Sequence, residues 1–276
     1  RAMIVGDPKQ VEPVVTDDLK LIRDSYDDEI LQPYKNSLVS VQTFADNLNK
    51  FGTVLSDTDD NGEPIDTWVG CPLVVHRRCI SPMFDISNEL SYKIMRNQTE
   101  PAKPQDEEKY IFSKSCWLAI DGNESGNKNH YVKAQGEEVA KLIIESFRKS
   151  DTAPSIYVIS PFTSVVRGMR NTICAMAKME SDELYYMIFD WSKKCIGTVH
   201  KFQGKEAMEV FFLLGCDSTS LSAVKWVNKN IVNVAVTRAK HRIYIVGRYD
   251  GVWSNNPYLS TAYTIIDEQG NSPTAS

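Results

Sequence analysis

Residues 195–214 read CIGTVHKFQGKEAMEVFFLL: two apolar runs, Cys195–Val199 and Glu209–Leu214, separated by a polar turn around Gly204. Each run is nearly continuous in apolar character, as expected of a strand covered on both faces. Working outward, the same kind of run recurs at Pro72–Val75, Ser155–Ile159 and Arg242–Val246, with a less regular one inside Tyr110–Ile120. Helical periods lie between them. Ser81-Pro82 reads as an N-cap with proline at the first helical position, and Met83, Ile86, Leu90 and Ile94 then recur on one face. Val139, Leu142, Ile143 and Phe147 follow Gly136 in the same rhythm; Val166, Met169, Ile173 and Met176 follow a cap at Thr163 or Ser164. From Val69 onward the alternation predicts an α/β fold, a mostly parallel sheet flanked by helices.

Residues Thr16–Thr67 fit this scheme less well. Amphipathic pieces at Leu19–Leu31 and Val41–Phe51 precede Ser56–Asp66, which is rich in Asp, Gly and Asn and reads as a solvated loop. The expected organisation is the end of a first domain at 1–15, a connector at 16–68, a second domain at 69–268 and a flexible polar tail at 269–276. Arg1–Val5 (RAMIV) reads as the end of a buried strand, so part of the first domain is expected to precede it.

With 276 residues, 42% of them hydrophobic, the chain can bury a substantial core. No apolar run approaches the roughly 18 residues of a membrane span and no charged-then-apolar leader opens the sequence, so a cytoplasmic setting is the default expectation and no membrane partner is expected. The six cysteines are scattered without a C-x-x-C pair and read as reduced, buried hydrophobes. Cys71, His76 and Cys79 lack a second ligand pair at zinc-site spacing, and no metal site is expected in this chain. Net charge is -5, but basic residues gather at Arg77-Arg78, within Lys201–Lys205 and within Arg238–Arg242. Those groups fall inside the chain's motifs.

Four segments carry chemistry. Gly6-Asp7-Pro8-Lys9-Gln10 follows the run Met3–Val5; a glutamine amide there can donate to a phosphate oxygen while its carbonyl accepts from a neighbour. Leu73-Val74-Val75-His76-Arg77-Arg78-Cys79 ends in two guanidinium groups, whose planar forks suit phosphate. Ile196–Glu206 contains Gly197-Thr198-Val199-His200 and then Phe202-Gln203-Gly204-Lys205-Glu206, in which Gly204 permits close backbone approach. Val232–Lys240 contains Asn233-Val234-Ala235-Val236-Thr237-Arg238-Ala239.

In this order the four segments resemble the later motifs of superfamily 1 helicases, in the branch that includes the nonsense-mediated-decay helicase. The resemblance covers most of the chain. It implies a RecA-like second motor domain of the P-loop-NTPase type, without the half that carries the phosphate loop. Arg78 and Arg238 would be arginine fingers on the γ-phosphate, Gln10 would couple that phosphate to the nucleic-acid path, and Glu206 would lie near the ribose or attacking water. Gly6, Asp7, Gln203 and Gly204 would border the nucleotide. Thr198 and His200 would contact a nucleic-acid backbone, and Ile159-Ser160-Pro161-Phe162, similar to the family's T-P-Y turn, would place Pro161 and Phe162 against a bound strand. His76 and Arg77 depart from the family's usual Gln and Tyr.

No G-x-x-x-x-G-K-[ST] occurs in the chain, since Gly204-Lys205 is followed by Glu206 and Val199 stands where the earlier loop glycine belongs. Ile265-Ile266-Asp267-Glu268 imitates a Mg²⁺-binding strand end but follows the last motif. The expected function is therefore the C-terminal part of an ATP-dependent helicase or translocase. It would use ATP and Mg²⁺ in the full-length protein, with a first RecA-like domain in cis and single-stranded DNA or RNA as partners, and hydrolyse ATP negligibly by itself. The alternative is a non-hydrolysing nucleic-acid or protein docking module with a helicase-like fold. An unrelated α/β nucleotidyl enzyme is disfavoured, because four motifs in order would then be coincidence.

Overall fold

Ser40 opens helix α1 (Val41–Leu48) with a reciprocal cap: its hydroxyl accepts from the Thr43 amide at 3.2 Å while its own amide donates to Thr43 Oγ1 at 3.3 Å. The computed structural model describes residues 3–7, 9–10, 40–58, 64–126, 129–149 and 152–269. The chain divides into two compact units, Arg1–Val74 and Val75–Ser276. In the first, strands β1 (Thr53–Thr58) and β2 (Pro64–Val69) pair antiparallel from Thr53↔Val69 to Thr58↔Pro64. The loop expected over Ser56–Asp66 is thus in part a paired hairpin, with Ser56 Oγ donating to Asp66 Oδ1 at 2.7 Å. Asp46 of α1 is buried and accepts from the Gly70 amide at 3.0 Å and from the Gln42 amide group, while Trp68 Nε1 donates to its backbone carbonyl at 2.9 Å. The amphipathic piece expected at Leu19–Leu31, Pro8 of the first motif, and the tail beyond Gln269 lie outside the described residues.

The second unit begins with the two-residue strand β3 (Val75–His76), followed by helix α2 (Met83–Ser87) and its π-helical continuation Asn88–Tyr92, then strand β4 (Arg96–Asn97), helix α3 (Pro104–Glu107) and strand β5 (Cys116–Leu118). Next come helix α4 (Lys133–Arg148), strand β6 (Ile156–Ser160), helices α5 (Thr163–Glu180) and α6 (Asp182–Cys195), strand β7 (Ile196–Thr198) and strand β8 (Ala207–Leu213). Helices α7 (Leu221–Trp226) and α8 (Lys229–Val236), strand β9 (Ala239–Val246) and helix α9 (Pro257–Glu268) complete it. Five strands form one sheet in the order β5-β9-β8-β6-β7, every neighbouring pair parallel. This is the expected α/β class, a parallel sheet flanked by helices, consistent with a RecA-like fold.

Burial on both faces explains why these strands read as continuous apolar runs. Along β8, Phe211 and Leu213 join a core with Val139, Ile143 and Phe147 of α4, Val165, Met169 and Ile173 of α5, and Ile188 and Trp191 of α6. Their neighbours Val210 and Phe212 are equally buried, and α8 packs against β8 and β9 while α2 packs against β9 and α9 against β5. Truncating a ring such as Phe211 to alanine there costs about 3–5 kcal/mol.

Several expectations fail locally. Pro72–Val75 is not a sheet strand; only Val75 and His76 pair, with Arg96 and Asn97, and Leu73 is exposed. Pro82 rather than Ser81 occupies the cap of α2, without a side-chain bond, and Lys93 at φ 60° ends the helical run so that Ile94 is exposed. Phe162 rather than Thr163 or Ser164 caps α5. Cys195 closes helix α6 instead of starting a strand. Ile265–Glu268, which only imitates a strand end in sequence, lies in helix α9.

Candidate functional site

The motif residues of the second unit collect at opposite ends of the central strands. At the amino end of β8 and β9, Ala207 pairs with Ala239, which brings Gln203–Glu206 beside Arg238 and Lys240. Gly204 sits at φ +81°, a left-handed backbone that glycine adopts without Cβ strain, and it makes an exposed turn of Gln203–Glu206. Glu206 leaves that turn to meet two cations: its Oε2 lies 3.5 Å from Arg78 Nε and its Oε1 3.1 Å from Lys240 Nζ. The side chains of Arg78, Glu206 and Lys240 keep 39%, 44% and 33% of their surface in water, so the contact is exchangeable rather than locked.

Arg238 behaves differently. It is fully buried; its Nε donates to the Val234 carbonyl at 3.1 Å, Nη1 to the Lys205 and Phe202 carbonyls at 3.1 and 3.4 Å, and Nη2 to Thr237 Oγ1 at 3.1 Å. Burial first, and then the neighbouring Arg78 guanidinium, pull its pKa down to about 10, which still leaves it charged at neutral pH. Its guanidinium therefore clamps the Gln203–Glu206 turn from beneath. Asn233 is also inward: its Oδ1 accepts from Ser87 Oγ at 2.7 Å, tying α8 to α2.

The segment bearing Arg78 is held by its neighbours. The Ile80 amide donates to the Lys240 carbonyl at 3.0 Å, and the Cys79 amide to His76 Nε2 at 2.9 Å. Burial, and then the Arg78 charge, hold His76 below its ordinary pKa, while burial pushes the Cys79 thiol up to about 12, so both are neutral near pH 7. Arg77 instead points to Gln98, 2.9 Å from its Oε1.

At the carboxyl end of β6 and β7, Ser160 pairs with Thr198, which sets Pro161 and Phe162 level with Thr198. The seven residues of β8, at roughly 3.3 Å each, separate the two ends of the sheet by about 20 Å. His200 is exposed on the single 3-10 turn Val199–Phe202 that leads back along the edge. Phe162 stands between two rings, His130 at 4.7 Å and Trp226 at 5.9 Å between centroids. Trp226 is 54% exposed. The motifs did not reveal it, because it lies on a short helix between them; an exposed tryptophan is conspicuous only once α7 folds against Phe162. A cleft of about 290 Å³ nearby is lined by Asn129, Lys133, Ser164, Arg167 and Asn171, all able to donate to phosphate. A larger cleft of about 680 Å³ between α2 and α9 carries Asp85, Glu89 and Glu268 and would repel it.

Gly6, Asp7 and Gln10 belong to the first unit. Asp7 organises their turn, its Oδ1 accepting from the Lys9 amide at 3.0 Å and its Oδ2 from Gln10 Nε2 at 3.2 Å. A Cβ on Gly6 would stand 2.9 Å from Gln42 Oε1. Among the described residues, no helix is long and apolar enough to cross a membrane.

A family model described as an AAA domain matches residues 71–250. No curated protein matches the chain significantly. Among solved structures, the C-terminal domain of a possible DNA helicase from Lactobacillus plantarum WCFS1 aligns at a TM-score of 0.38 and 10% identity, over 67% of this chain and 92% of that one. Arterivirus nonstructural protein 10, a helicase, aligns at a TM-score of 0.32 and 14% identity, over 69% of this chain and 29% of that one.

Proposed function

The chain belongs to the AAA-domain family, and on that premise we propose that it is the C-terminal motor part of an ATP-dependent helicase or translocase of superfamily 1, in the branch of the nonsense-mediated-decay helicase. The observation that carries this is the placement of Glu206 between Arg78 and Lys240 on an exposed glycine turn. A γ-phosphate entering there competes with one carboxylate for two cations, and a guanidinium released from Glu206 is free to pair phosphate oxygens and stabilise charge as the phosphoryl group leaves. Arg78 is the finger in this reading. Arg238 supports the same turn from inside rather than reaching past it, and Gln203 and Gly204 border the nucleotide.

The groups that cradle the β-phosphate and Mg²⁺ belong to a first RecA-like domain in cis, with Gly6, Asp7 and Gln10 contributing its G-D-x-x-Q element. Glu206 is already held by two cations and is a poor Mg²⁺ ligand. Single-stranded DNA or RNA crosses the other end of the sheet, against Thr198, His200, Pro161 and Phe162. ATP chemistry and strand binding thus lie about 20 Å apart on one sheet.

The test is turnover in a polypeptide that joins this chain to a domain bearing the phosphate loop. Arg78→Ala should lower ATP hydrolysis by on the order of 10³ while single-strand binding persists; unchanged turnover removes Arg78 from the reaction. The chain alone should hydrolyse ATP negligibly, and strong strand-stimulated turnover by it would overturn the assignment of the cradle to another domain. The second reading, a docking module without turnover, is favoured by the burial of Arg238. It predicts strand binding indifferent to ATP analogues in the joined polypeptide.

A further inference from the structure

We propose that Glu124, His130 and Cys216 form a transition-metal site in the second unit, with a donor set suited to Zn²⁺. One ligand atom from each residue, a carboxylate oxygen, an imidazole nitrogen and a thiol sulfur, lies within 4.8 Å of the other two. The Glu124 side chain is 4% exposed and His130 21%, and Cys216 is 1% exposed. Sulfur and imidazole together disfavour Mg²⁺ and Ca²⁺ and favour Zn²⁺ or a neighbouring first-row ion. A carboxylate and a thiolate balance the charge of a dication, and the thiol proton leaves to solvent when the metal binds.

The three donors are held in place by the backbone that carries them. The Cys216 amide donates to the His130 carbonyl at 2.8 Å, and the His130 amide donates to Glu124 Oε2 at 2.9 Å. The Glu124 amide in turn donates to Asp217 Oδ2 at 2.8 Å, and Asp217 Oδ1 is fixed by the Thr219 amide and hydroxyl. His130 and Cys216 both adopt left-handed backbone, φ 57° and 62°, and a Cβ on the intervening contact residue Gly215 would fall 2.1 Å from the His130 carbonyl oxygen. That close approach is what lets a loop residue and a residue just past the end of β8 aim at one point. Outer bonds of this kind orient ligands in metal sites.

Three protein ligands leave one tetrahedral position, and the exposed edge of His130 gives water access to it. Bound metal would rivet Glu124 and His130 to Cys216, just past the end of β8. It would also fix the His130 ring, and with it Phe162, whose centroid is 4.7 Å away.

The experiment uses the whole chain with the exposed Cys71 changed to serine, stripped with chelator and titrated with Co²⁺ and then Zn²⁺. One equivalent of Co²⁺ should produce thiolate-to-cobalt charge-transfer absorption and the intense visible bands of a tetrahedral ion, both abolished by Zn²⁺. Cys216→Ser should remove the charge-transfer band, and His130→Gln, at a more exposed position, should weaken Zn²⁺ binding at least tenfold with an unchanged far-ultraviolet circular dichroism spectrum. If Cys216→Ser does not fold, the Co²⁺ spectrum of the parent and the His130→Gln titration decide. Absence of thiolate absorption in the parent, or binding indifferent to these substitutions, overturns the site.

Discussion

Tyr244 donates a hydrogen bond of 2.5 Å to Glu209, inside the parallel sheet, from the strand next to it. The same carboxylate oxygen accepts from the Ile111 amide at 2.8 Å, and Arg242 lies opposite Glu209 in the register. Burial nevertheless dominates and raises the Glu209 pKa, against the lowering effect of the two hydrogen bonds and of Arg242. A carboxyl group in a core is tolerated here because every oxygen-directed donor is built into the sheet and the loop above it.

That raised pKa makes stability pH-dependent with a definite sign. Between the ordinary carboxylate value and the raised one, the folded chain holds a proton that the unfolded chain has released. The contribution is therefore fully present below the ordinary value and is lost as pH rises through the raised value. Glu209→Gln removes the titration, so its stability relative to the parent should grow as pH rises above the ordinary carboxylate value. Urea unfolding at several pH values measures this; a difference that is flat or shrinks with pH contradicts it.

Arg238 and Arg78 should separate cleanly by stability. Arg238→Ala leaves the carbonyls of Val234, Phe202 and Lys205 without their buried donor and should cost about 3 kcal/mol. Arg238→Lys should recover less than half of that, because one ammonium cannot replace a planar fork. Arg78→Ala, half exposed, should stay within about 0.5 kcal/mol of the parent. Denaturant midpoints for the three variants would settle it, and equal losses at both positions would contradict the different roles given to them.

For strand binding, Trp226→Ala and Phe162→Ala should each weaken single-stranded oligonucleotide binding by about 1–3 kcal/mol, through lost base stacking. Trp226→Ala should leave the melting temperature nearly unchanged, given its exposure. Fluorescence anisotropy with a labelled strand reads the first effect and calorimetry the second. Binding indifferent to both substitutions would mean the strand does not cross this end of the sheet.

The packing of α4 on α5 rests on Tyr131. A Cβ on Gly168 would lie 2.4 to 2.6 Å from its ring carbons, and one on Gly136 would meet its hydroxyl; that hydroxyl also bonds Thr172 Oγ1 at 2.5 Å. Gly168→Ala gains helix propensity on paper but should destabilise by about 1–3 kcal/mol through overpacking. Tyr131→Ala should suppress most of that penalty, and a double-mutant cycle without coupling would disprove the contact.

Periodicity revealed the sheet because β6, β8 and β9 are covered on both faces, so apolar residues fill consecutive positions. It revealed α4 and α5 because one face of each is buried. Helix α6 escaped because its buried residues, Ile188 and Trp191, are diluted by exposed Tyr186, Met187 and Phe189. The hairpin of β1 and β2 escaped because its residues are largely exposed and half of them polar, held by cross-strand bonds that leave no apolar alternation.

What the sequence by itself determined was the α/β class, the order of the motifs and the residue types able to handle phosphate, since these follow from local spacing and side-chain chemistry. Only the tertiary structure decided that Arg238 faces inward while Arg78 meets Glu206 in solvent, and that Trp226 stands beside Phe162. It alone brought Glu124, His130 and Cys216 to one point. Those relationships join residues far apart in the chain through strand register and close loop approach, and neither burial nor direction of a side chain is encoded in its identity alone.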